Sequence, residues 1–139
     1  MHTNNYCGRR VDNLEWVYGS YLQVGDRCYI ITTTGDKDHE LYNVSTPLFL
    51  YEVEPETVSP FIGITDTYGI DLYLNDIVET KYGRQCVITR KVSPSYCGYD
   101  LEPLEANHKK PDQYDLWHPG NLLFTGYCLL NGEKKERFY

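Results

Sequence analysis

The stretch FIGITDTYGIDLYLNDIVETKYGRQCVITR, residues 61–90, decides the fold. Its apolar residues come in short runs, broken by DTYG (66–69), by Asn75-Asp76 and by KYGR (81–84). None of these runs holds a helical stripe, and turns recurring about every eight residues mark a small β-barrel or sandwich. IDLYL (70–74), IVET (77–80) and QCVITRKV (85–92) read as strands. In DTYG, Asp66 takes the first turn position and Gly69 the last. Asp66, Gly69 and Asp76 therefore read as turn chemistry, in which a carboxylate binds its own downstream backbone and glycine accepts a left-handed angle. The stretch is scaffold before it is a site.

The same pattern extends outward. EWVYGSYL (15–22) and RCYIITTT (27–34) flank QVGD, whose Gly25-Asp26 suits a two-residue hairpin. Trp16, in the first of these, is expected to be buried and structural. PLFLYEVE (47–54) follows, and alternation puts Glu52, Glu54 and Glu56 on one exposed edge or face. Between them, DKDHE (36–40) offers Asp36, Asp38, His39 and Glu40 but no complete cation loop, so it reads as a solvated hairpin tip. Residues 93–120 carry four prolines and read as a long excursion with one helical turn near 103–108. NLLFTGYCLL (121–130) returns as a strand bent at Gly126, and NGEKKERFY (131–139) reads as an exposed charged tail. The expectation is one mainly-β domain over 1–139: a hairpin region at 1–60, a barrel at 61–130 interrupted by the excursion at 93–120, and a tail.

Composition bounds the chemistry. The five cysteines, Cys7, Cys28, Cys86, Cys97 and Cys128, are widely spaced with no Cys-x-x-Cys pair, which fits reduced thiols and no zinc site. No apolar run is long enough to span a membrane, and MHTNNYCGRR lacks the apolar core of a signal peptide. Net charge is −7, and residues 36–79 hold ten acids against one base, Lys37. Such a surface disfavours non-specific grip on a phosphate backbone. Residues 81–91 break the trend with Lys81, Arg84, Arg90 and Lys91 and no acid; Arg84, Arg90 and Lys91 with Tyr82 offer a small basic-aromatic patch, read as a solvated strand edge. Fourteen tyrosines suit both half-buried strands and binding surfaces.

GRRVDNLEWVYGSYL, then VGDRCYII, YEVEPETV and GITDTYGIDLYLNDIV, together resemble the YopX-like proteins of bacteriophages and prophages. The likeness covers residues 8–80 well and 121–130 weakly. The matched positions are Arg10, Asp12, Asn13, Trp16, Val17, Tyr18 and Gly19 in the first segment, and Pro55, Glu56, Thr57 and Val58 in the third. The fourth contributes Gly63, Asp66, Gly69, Asp76, Ile77 and Val78. This chain departs from the pattern at Ser59-Pro60 and at Asn75, which stands where the family has glycine; asparagine tolerates positive φ, so that turn is expected to survive. The resemblance implies an SH3-like β-barrel, a phage context and the cytoplasm of an infected bacterium, but no reaction.

Function is then read from what remains. NHKKPDQYDLWHPG gathers Lys109, Lys110, Tyr114, Trp117 and His118, and the preceding SPSYCGYD adds Tyr96 and Tyr99. An aromatic and basic loop on an acidic body fits a recognition surface, and Trp117 fits equally a plug that caps the barrel. Asp115 and His118 make a lone acid–base pair with no nucleophile beside it, a weak basis for an enzyme. The reading is a non-enzymatic accessory protein without cofactor or metal. It acts by stoichiometric binding to a host protein, such as a defence protein, or to a nucleotide messenger, and its tyrosines also suit self-association. The alternative is a nucleic-acid-binding module of phage replication or transcription, which the net charge disfavours.

Overall fold

The structure, a computed structural model, describes residues 5–42, 45–94, 96–105, 111 and 116–137, with backbone alone at 93, 96 and 97. It is mainly β, with two antiparallel sheets, neither of them closed. The chain divides into two compact units, residues 1–60 and 61–138.

The first unit contains β1 (Tyr6–Arg9), β2 (Trp16–Val24), β3 (Arg27–Thr32), β4 (Phe49–Val53) and the start of β5 (Ser59–Thr65), hydrogen-bonded in the order β4-β3-β2-β1-β5. Alternation sorts the side chains: Phe49, Tyr51 and Val53 turn inward along β4, as Cys28 and Ile30 do along β3. Cys28, Ile30 and Val53 make the core, packed by Tyr6, Val17, Tyr21 and Val58. Val24 pairs with Arg27 across the Gly25-Asp26 turn, with Gly25 at φ 63° as a two-residue hairpin needs. Gly19 is required for another reason: a Cβ there would lie 2.0 Å from the Ile31 carbonyl oxygen.

One expectation is corrected here. Trp16 is half-buried, not buried, because it opens β2 at the end of the β1–β2 ladder, opposite Arg9. The DKDHE segment leaves Asp36, Lys37 and Asp38 exposed, as a solvated tip does, but it is ordered. It forms a 3-10 turn at Lys37–His39, and the His39 ring stacks on Tyr51 at 4.6 Å. His39 Nδ1 lies 2.5 Å from Asp36 Oδ1, and its Nε2 lies 3.5 Å from Asp12 Oδ2. Arg10, buried over the Tyr51 ring at 4.5 Å, donates to both oxygens of Asp12. Arg10 holds the Asp12 carboxyl below the usual range, and His39 does the same to Asp36.

The second unit contains the rest of β5, β6 (Asp71–Tyr73), β7 (Asp76–Thr80), β8 (Gln85–Ser93), β9 (Tyr96–Pro103), β10 (Leu122–Leu130) and β11 (Glu133–Glu136). The last five form a sheet in the order β11-β10-β7-β8-β9. Its core is Leu72, Val78, Cys86, Ile88, Leu101, Leu116 and Leu122. Asn75 sits at φ 74°, the left-handed angle its turn demands, and β10 shifts register beside Gly126, at φ 88°.

Two further expectations fail in this unit. The excursion expected at 93–120 begins as strand: β8 and β9 pair from Cys86↔Pro103 to Ser93↔Tyr96, because Leu101 fills the core while Gly98 and a buried Asp100 disguise the alternation. Of the helical turn expected near 103–108, residue 103 closes β9 and 104–105 form a bend, while 106–108 lie outside the described residues. The charged tail is also a strand. Asn131 (φ 51°) and Gly132 (φ 78°) make a two-residue hairpin that returns β11 along β10. Its exposed Glu and Lys side chains suit an edge strand.

Arg137, just past β11, is buried. Its N–H donates to the Gly126 carbonyl (2.8 Å), its Nε donates to Asp76 Oδ1 (2.9 Å), and its Nη2 pairs with Asp76 Oδ2. The guanidinium lies over the rings of Phe124 (4.3 Å) and Tyr73 (4.9 Å). The Tyr73 N–H also donates to Asp76 Oδ2, at 2.8 Å. Burial pushes the Asp76 carboxyl up to about 6, against the opposing pull of Arg137. An unfolded aspartate titrates near ~3.9, so the folded state holds this proton more tightly. The stability this contributes is present below about 4 and is lost as pH rises through about 6. Arg137→Ala should cost about 3–5 kcal/mol at neutral pH, since it strands a buried carboxylate. The cost should shrink at about pH 4.5, where Asp76 is largely neutral. Urea midpoints of both proteins at the two pH values check this; a cost independent of pH would contradict it.

Candidate binding groove

A groove of about 280 Å³ opens on the second unit, lined by Ile62, Ile64, Gly98, Tyr99 and Trp117. Each wall has a sequence cause. Ile62 and Ile64 share one face of β5 by alternation, with Gly63 between them at φ 97° where the β5–β6 ladder is interrupted. Gly98 and Tyr99 come from β9, where the glycine leaves backbone open beside the ring. Trp117 follows Leu116, whose complete burial anchors this segment to the core. Ile62, Ile64, Tyr99 and Trp117 all pack partly against that core, so the groove floor is continuous with the interior.

The isoleucine wall is positioned from the end of β5 by Asp66. This carboxylate is buried and accepts three backbone N–H groups. Oδ1 takes those of Tyr68 (2.8 Å) and Ile70 (2.9 Å), closing the turn, and Oδ2 takes that of Phe124 in β10 (3.0 Å). Gly69 completes the turn at φ 82°, its N–H donating to the Asp66 carbonyl at 3.1 Å. A buried carboxylate is tolerated when its lone pairs are met in this way.

Of the side chains expected to bind, the structure brings Tyr99 and Trp117 together. His118 stands next to Trp117 and is exposed, and Tyr96 lies in β9 with its backbone alone described. Lys109, Lys110, Tyr114 and Asp115 lie outside the described residues. Sequence reading missed Ile62, Ile64 and Gly98; the alternation of FIGIT around a glycine is the signal that marks the first two. The described lining is aliphatic and aromatic, with no acid, imidazole or thiol. Among the described residues no group of three or more His, Cys, Asp or Glu side chains is placed to hold a metal ion, and no helix is long and apolar enough to cross a membrane. Compared with known protein families, curated proteins and solved structures, the chain matches none.

Asp66→Asn keeps the volume but replaces one acceptor oxygen by a donor, facing a backbone N–H with another. It should lower stability by about 1–3 kcal/mol, the cost of one buried unsatisfied pairing. A urea midpoint equal to that of the wild type would show that the turn does not depend on the carboxylate.

Proposed function

We propose that the protein acts by stoichiometric binding, without catalysis, and that the groove beside Tyr99 and Trp117 is its contact surface. The observation that carries this reading is the groove itself: two aromatic side chains, two isoleucines and open glycine backbone form an apolar concavity resting on the core. Tyrosine and tryptophan anchor interfaces because each presents much area with few rotatable bonds. The volume suits one large apolar side chain or one planar ring more than a whole drug-sized ligand.

The resemblance to YopX-like proteins supplies the setting. In this proposal the chain is a phage accessory protein with an SH3-like arrangement of strands, working in the cytoplasm of an infected bacterium. It inhibits a host protein, such as a defence protein, or holds a nucleotide messenger, alone or as a homo-oligomer. Net charge of −7 supports a partner other than bulk nucleic acid.

Affinity capture from infected-cell lysate tests the reading, with wild-type and Trp117→Ala baits compared for protein and nucleotide cargo. A cargo held by the wild type and reduced more than about thirtyfold in affinity for the folded variant supports the groove. Equal capture by both baits would place the contact elsewhere.

A further inference from the structure

Two turns of the second unit bond to successive residues, Asn121 and Leu122. The Thr67 N–H and hydroxyl both donate to the Leu122 carbonyl at 2.9 Å, while the Lys81 N–H donates to the Asn121 carbonyl, also at 2.9 Å. Leu122 also pairs with Thr80 of β7, so the 66–69 turn and the 81–84 turn both bond to residues 121–122 and are neighbours. Each turn presents an exposed tyrosine: Tyr68 is 77% exposed and Tyr82 67%. These are rigid mounts. Asp66 Oδ1 accepts the Tyr68 N–H at 2.8 Å, and the Thr80 hydroxyl accepts the N–H groups of Tyr82 (3.3 Å) and Arg84 (3.4 Å). Asp66 and Thr80 are themselves buried.

The same rim is locally cationic. Lys81 Nζ lies 5.1 Å from the Tyr82 ring centroid, Arg84 is exposed in the same turn, and exposed His118 is joined to Asn121 through a 3.0 Å backbone hydrogen bond. Residues 81–91 hold four bases and no acid on a chain of net charge −7.

We propose that this rim binds a short single strand of nucleic acid, with bases stacked on Tyr68 and Tyr82 and phosphates met by Lys81, Arg84 and His118. Stacking on aromatic rings accepts any base, and a rigid mount leaves little to order on binding. Two exposed rings on neighbouring turns favour two bases of one strand over a single mononucleotide. An acidic peptide would use the cations and leave the rings idle. A duplex hides its base faces, and the acidic body repels its backbone. The inference does not rest on the Trp117 groove.

The experiment is fluorescence anisotropy with a labelled oligothymidylate of about twelve nucleotides, titrated across salt. Tyr68→Ala and Tyr82→Ala should each weaken binding about tenfold, while Tyr→Phe at either position retains it, since the ring and not the hydroxyl stacks. With Lys81 and Arg84 on phosphates, log K should fall against log salt with a slope of about −1.4, and the Lys81→Gln, Arg84→Gln double variant should flatten it. Trp117→Ala should bind the oligonucleotide normally, which separates this outcome from that of the groove. Absence of saturable binding, Ala variants as tight as wild type, or equal competition by duplex or polyglutamate would each overturn the proposal.

Discussion

The carboxylate of Asp66 is the constraint on which the second unit depends. It sits at the end of β5, buried, and collects two N–H groups from its own turn and one from Phe124, 58 residues further along the chain. A charge taken out of water is stable only where its lone pairs are met, so the turn and β10 cannot part without stranding it. Through that link Ile62 and Ile64 are held as one wall of the groove, and Tyr68 is held outward on the rim.

Other buried polar groups act in the same manner. Asp76 and Arg137 bind the segment after β11 to the start of β7, with the guanidinium lying over the rings of Tyr73 and Phe124. In the first unit the buried Thr57 hydroxyl accepts the Arg9 N–H (2.8 Å) and donates to the Glu54 carbonyl (2.6 Å), while Arg9 and Glu54 form an ion pair. Apolar contacts alone would tolerate several arrangements of such short strands. Directional bonds that must all be met leave far fewer.

Much of this was legible from local chemistry. The turn at 66–69, the Gly25-Asp26 hairpin, the left-handed Asn75 and the bulge beside Gly126 each follow from residues adjacent in sequence. What escaped depends on distant partners. Nothing within NGEKKERFY says that Arg137 will find Asp76, and the charge of that run obscured an Asn-Gly hairpin signal that was present. The DKDHE segment owes its structure to Arg10 and Tyr51, well away in the chain. Strand β9 was hidden because Gly98 and buried Asp100 interrupt its pattern. The groove divides the same way: aromatic density pointed to Tyr99 and Trp117, whereas Ile62, Ile64 and Gly98 join them only through tertiary packing.

Stoichiometric binding at the groove is tested most directly by isothermal titration of the captured partner into purified protein, followed by recovery of both. The account predicts a saturating heat at a fixed molar ratio, a partner recovered chemically unchanged, and loss of that heat with folded Trp117→Ala. Heat that continues beyond saturation, with the partner converted to product, would contradict it.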